Sequence, residues 1–191
     1  MPTTDRPTLY FESDIEWYDW LLNNHEKFNS VYIIFHKKDS GIPSMTWSEA
    51  VKVALCFGWI DSTVKSLGNG KRQQYFSKRK PKSAWSKLNK TYVDELLSQN
   101  LIQESGLNTI NIAKENGAWY ELDNAENLII PEDLKIAFAT NQKAFENYKN
   151  FAPSYRKNYL YWLHSAKRKL TRSKRIEEII LLCNQNKKQR T

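Results

Sequence analysis

The segment VYIIFHK, from Val31 to Lys37, constrains this chain more than any other. β-Branched and aromatic side chains occupy both of its alternating faces, so neither face can be left to water. Such a run has to be a central strand, and a central strand needs neighbours and a covering layer. A hairpin pattern supplies the neighbours. Trp59 to Leu67 reads as one strand, Gly68-Asn69-Gly70 as the turn, and Lys71 to Lys78 as the return strand. A short apolar run, Leu9-Tyr10-Phe11, opens the chain. Helices with explicit start signals supply the cover. Ser13 with Glu16, and Thr46 with Glu49, form capping boxes for helices reaching about His25 and Phe57, and Gly58 can supply a left-handed stop.

Beyond Lys78 the period changes from strand to helix. Lys80-Pro81-Lys82 breaks the return strand. Ser83 is expected to cap a helix with Trp85, Leu88, Tyr92 and Leu96 on one face, and a second helix ends near Gly117. Residues 118–130 read as an irregular acidic connector. Pro131 suits a first helical position, and Asn141 and Pro153 mark two restarts. Tyr155, Tyr159, Trp162, Leu163 and Ala166 share one helical face; Ile176, Ile179, Ile180 and Cys183 share another. Strands early and helices late point to the α+β class. The expected architecture is a small, mainly antiparallel sheet with covering helices over residues 1–120, followed by an all-helical region over 131–191.

Charge is segregated as sharply as structure. Residues 71–90 carry eight Lys or Arg and no acid, and residues 156–191 carry eleven against Glu177 and Glu178. These zones hold +8 and +9; with a net charge of +8, the rest of the chain holds −9. Two basic zones on an acidic body attract a nucleic acid or another polyanion, or else serve as solvated surface. Binding along a continuous track requires the zones to share a face.

Catalytic and metal patterns are missing from the sequence. His25, His36 and His164 share no ligand spacing, and there is no HExxH, GxSxG, P-loop or GxGxxG. Gly68-Asn69-Gly70 before Lys71 has hairpin chemistry rather than a phosphate-loop context. Cys56 and Cys183, the only cysteines, sit in apolar surroundings and in no redox pair. No metal, no cofactor and no catalytic nucleophile is therefore expected. The first residues lack a cationic head followed by an apolar run, and no stretch approaches the roughly 20 apolar residues of a membrane helix. The expected setting is the cytoplasm, with no membrane span.

One dense constellation stands out at 59–87, where aromatics and bases alternate: Trp59, Asp61, Arg72, Phe76, Lys78, Arg79, Lys80, Trp85 and Lys87. Single-stranded nucleic acid needs π-faces for its bases and cations for its phosphates. Arg72, Gln74, Phe76 and Lys78 share one strand face, and Gln73, Tyr75 and Ser77 the other. Either Phe76 and Trp85 are stacking platforms, or Phe76 or Tyr75 faces the core while cations guard an edge strand. Lys78 and Arg79 are expected at a strand end outside the core. In the second zone the candidate anion contacts are Lys167, Arg168, Arg172 and Arg175.

Three blocks in order carry a family resemblance. Thr46-Trp47-Ser48-Glu49-Ala50 running into ALCFGWIDS at 54–62, Trp85-Ser86-Lys87-Leu88-Asn89, and the stretch from Ser154 to Ile180 resemble the YdeI/OmpD-associated, or bacteriocin-protection, family. The resemblance implies an α+β core followed by helices and a role in protection against cationic antimicrobial peptides or related stress. It implies no catalytic residues.

Overall fold

The computed structural model describes residues 6–189 and divides the chain into two compact units, one up to Tyr120 and one from Glu121 onward. In the first unit the elements run β1 (Thr8–Tyr10), α1 (Asp14–Asn24), β2 (Ser30–His36), a 3-10 turn (Lys38–Ser40), α2 (Trp47–Cys56), β3 (Trp59–Gly68), β4 (Lys71–Lys78), α3 (Lys87–Ser98) and α4 (Glu104–Glu115). The second unit contains α5 (Asp123–Glu126), α6 (Glu132–Ala139), α7 (Gln142–Asn150), α8 (Pro153–His164) and α9 (Lys169–Asn184). The fold is α+β. Among the described residues no helix is long and apolar enough to cross a membrane.

The sheet has the order β1-β2-β4-β3. VYIIFHK is a central strand, antiparallel to β4, with Val31 opposite Phe76 and Tyr32 opposite Tyr75. The turn of the hairpin is Asn69-Gly70, both with positive φ, the two-residue geometry that matches strand twist. Three-residue β1 pairs parallel to β2, so the sheet is mixed. One face carries Val31, Ile33, Phe35, Trp59 and Phe76, all buried, under α1 and α2. Trp17 of α1 meets Phe76 and Trp59 edge-on, and its indole N–H donates to the Ala50 carbonyl of α2 at 3.1 Å. That bond joins the two covering helices.

Helix ends follow local chemistry, with a few shifts. Thr46 and Glu49 form the complete reciprocal box. Ser13 accepts from Glu16 N, but the Glu16 carboxylate reaches the amide of Glu12, one residue earlier than the ideal box. Gly58 turns left-handed after α2 as expected. The cap of α3 is Ser86, not Ser83: its hydroxyl accepts from Asn89 N, and Trp85 precedes the helix instead of riding on it. Pro131 is the cap of α6 rather than its first residue, and the acidic connector holds the short α5.

The second unit buries Leu134, Phe138, Tyr148, Tyr159, Leu160, Leu163, Ile179 and Cys183 in its own core. The Asn147 amide donates to the Cys183 carbonyl at 2.8 Å, tying α7 to α9.

A cationic cleft beside the hairpin

The constellation at 59–87 does not form an exposed stacking surface. Trp59 and Phe76 are 0% exposed and Trp85 is 1% exposed, so none of the three can stack on a base. The register decides this: Phe76 lies opposite the core residue Val31, which turns Tyr75 to the other side. Arg79 is also in the core. Its guanidinium lies 3.6 Å from the Trp85 ring centre, and Nη2 donates to the Ala84 carbonyl at 2.5 Å. Burial lowers its pKa to about 10, against the pull of Asp61. Lys78 donates to the Glu26 carbonyl at 3.2 Å. Lys80 and Lys87 are exposed, Lys87 in the first turn of α3.

Asp61 has a defined structural task. One of its carboxylate oxygens accepts from the Trp47 indole N–H at 2.8 Å and from the buried Gln74 amide at 2.5 Å. This ties the start of α2 to the sheet. Arg72, the remaining candidate of this zone, lies 5.1 Å from the Phe35 ring and lines a cleft.

That cleft, of about 1020 Å³, lies between the hairpin tip and the segment joining β2 to α2. Lys37, Lys38, Lys71 and Arg72 line it, with His36, and no carboxylate is among its lining residues. Phe35, Ile42, Pro43, Met45 and Trp47 give it an apolar wall. Four cations gather here because β2 and β4 are antiparallel: His36 pairs with Lys71, so the residues after β2 meet those that open β4. A cleft lined by cations and no acid has a positive potential that favours an anion.

The walls are pinned. Tyr10 donates its hydroxyl to the Pro43 carbonyl, the His36 amide donates to Ser44 Oγ at 3.2 Å, and the Lys37 amide donates to the Gly70 carbonyl at 2.9 Å. Loop and hairpin are thus cross-linked by hydrogen bonds, and a ligand does not have to order them. Sequence reasoning singled out Arg72 alone of these four cations. The available signal was a pair of cations on each side of two turns, at Lys37-Lys38 and Lys71-Arg72.

Part of the basic zone of the second unit is engaged internally. Arg172 grips Asp133 through Nε at 2.5 Å and Nη2 at 2.9 Å, and hydrogen bonding to that guanidinium holds Asp133 below the usual carboxylate range. Glu121 takes His164 at 3.0 Å and Lys167 at 3.2 Å; the His164 bond leads in lowering its pKa. His164 is thus engaged rather than free. Arg175 donates to the Trp162 carbonyl and, at 2.6 Å, to Ser165 Oγ, with its guanidinium 5.0 Å from the Trp162 ring. Arg168 is exposed at the start of α9. Lys167, Arg172 and Arg175 thus each have a partner within the second unit, while Lys167 stays largely exposed.

Comparison with known proteins divides the chain similarly. A model described as a domain of unknown function (DUF8412) matches residues 9–109, and a model described as "Bacteriocin-protection, YdeI or OmpD-Associated" matches residues 127–186. The motif blocks at 46–62 and 85–89 lie in the first match, so the YdeI/OmpD-associated match is confined to the closing helices. No curated protein and no solved structure matches.

Proposed function

Because the chain belongs to the DUF8412 family and continues into a YdeI/OmpD-associated region, a pairing that names no chemistry, we propose from the geometry that it is a cytoplasmic, non-enzymatic module that binds a polyanion in the cleft beside its hairpin. One observation carries this: Lys37, Lys38, Lys71 and Arg72 line a pinned cleft that has no carboxylate in its walls. In the second unit, by contrast, Arg172 and Lys167 are each paired with a carboxylate. The same charge argues against capture of a cationic peptide. Any protective role that the family description suggests would run through an anionic partner.

Calorimetric titration with inorganic polyphosphate tests the proposal. Binding should weaken steeply with added salt, with a log–log slope of roughly −3 if all four cations meet phosphates of a single-stranded polyanion. The double substitution Lys71→Glu, Arg72→Glu should reduce affinity at least tenfold at low salt while the thermal midpoint stays close to wild type, since both residues lie at the start of a strand and outside the core. Undiminished binding in that variant, or no binding by the wild type at low salt, overturns the proposal.

A further inference from the structure

The sheet face opposite α1 and α2 carries a second pattern that continues from the cleft. Tyr32 and Tyr75 stand directly opposite each other on the two central strands, with ring centres 5.2 Å apart, and both are half-buried rather than buried. Moving along the same face toward the hairpin turn, the next pair is Ile34 with Gln73, and the one after it is His36 with Lys71, which already lines the cleft. The distance from the tyrosine pair to the cleft mouth is about 13 Å at ~3.3 Å per residue. Arg6 lies 6.0 Å from the Tyr75 ring, and Lys65 sits opposite Gln73 on this face. No carboxylate belongs to the strand positions that share it.

We infer that this face is a stacking platform for single-stranded nucleic acid, whose backbone runs on into the cationic cleft. The inference deepens the polyanion reading and rests on it. Three features select the ligand. Paired aromatic rings on central strands offer π-faces to two successive bases, which a duplex keeps stacked inside itself. Cations at both ends of the face, with no acid between them, suit a phosphate backbone. Gln73 lies between the rings and the cleft and can both donate to and accept from a base edge. A bare polyphosphate uses only the cleft, and an apolar protein partner would leave Arg6, Lys65 and Lys71 desolvated without counter-charges.

The test is fluorescence anisotropy of the full chain with labelled oligothymidylate and oligouridylate of roughly 12 nucleotides, beside a duplex of equal length and inorganic polyphosphate. The single strands should bind more tightly than the duplex. Tyr32→Ala and Tyr75→Ala should each lower single-strand affinity about tenfold and leave polyphosphate affinity unchanged, whereas Tyr32→Phe and Tyr75→Phe should retain both. Circular dichroism of each variant checks its folding, and Tyr32→Leu and Tyr75→Leu, which keep apolar bulk but offer no π-face, should show the same selective loss and carry the test if an alanine variant does not fold. Equal affinity for single strands, duplex and polyphosphate, with no effect of either tyrosine, would sink the platform and leave the anion cleft standing. Failure of every polyanion to bind would remove both.

Discussion

Arg79 is costly to bury in the first unit. Its side chain is buried, two of its nitrogens, Nε and Nη1, have no hydrogen-bond partner, and no carboxylate is hydrogen-bonded to it. Burying a charge in this way is expensive, and the depression of its pKa to about 10 expresses the same cost. Since a base with a lowered folded pKa is penalised wherever both states are protonated, the penalty is present in full at neutral pH and eases only as pH rises past about 10. The Trp85 ring, through a desolvated cation–π contact of about 2 kcal/mol, and the Ala84 carbonyl offset part of it. Arg79→Met keeps the packing over Trp85 and removes the charge, so its stability should fall within about 1 kcal/mol of wild type or exceed it. Arg79→Glu should not fold. Thermal melts of the two variants decide the matter; a loss of several kcal/mol in Arg79→Met would mean that the guanidinium does more than pack.

At the level of elements, α4 crosses close over the end of α2 at Gly106. A methyl group on Gly106 would come within 2.3 Å of the Cys56 carbonyl oxygen and 2.8 Å of the Ile102 side chain. The backbone here cannot yield without moving the helix, so Gly106→Ala should cost about 1–3 kcal/mol in urea denaturation. An unchanged midpoint would show that α4 slides freely. Much at this scale was legible in sequence because its code is local. Thr46 with Glu49, the left-handed Gly58, Pro153 at the start of α8, and the Asn69-Gly70 turn each declare themselves within a few residues. What escaped depended on distant partners. Aromatics occupy adjacent positions 75 and 76, so alternation alone could not say which ring faces inward; pairing with β2, some 40 residues away, decides it. The cap expected at Ser83 falls three residues later, at Ser86, because Trp85 is buried against Trp119, with ring centres 4.9 Å apart, ahead of the helix. The cleft was illegible for the same reason: Lys37 and Lys71 are brought together only by strand register.

For the whole molecule, the two units differ in what acid does to them. The carboxylates held below their usual range, Glu121 and Asp133, both belong to the second unit. A carboxylate with a depressed folded pKa stabilises above its unfolded value, and that contribution is lost as pH falls through the folded one. The second unit should therefore loosen first as pH drops below about 4. The readouts separate conveniently: six of the seven tryptophans precede residue 121, while helices occur in both units. Far-UV circular dichroism should decline at a higher pH than tryptophan fluorescence shifts. Asp133→Asn should bring forward the loss of helix at neutral pH and flatten its acid limb. Coincident acid transitions in both signals would contradict this order. The charge count alone saw a basic zone at 156–191; it missed that Asp133 and Glu121 already answer part of it.

The hairpin tip also gives this protein a clock. Asn69 is exposed and followed by Gly70, whose lack of a side chain leaves its backbone nitrogen open to attack the Asn69 amide carbon. Ring closure expels ammonia, and hydrolysis of the cyclic imide leaves an aspartate or isoaspartate in its place. The new carboxylate would stand on the lip of a cleft otherwise lined by cations, since Asn69 is one of its lining residues. Ageing would then write a negative charge into a wall that carries none, and old molecules would attract an anion to it less strongly than fresh ones.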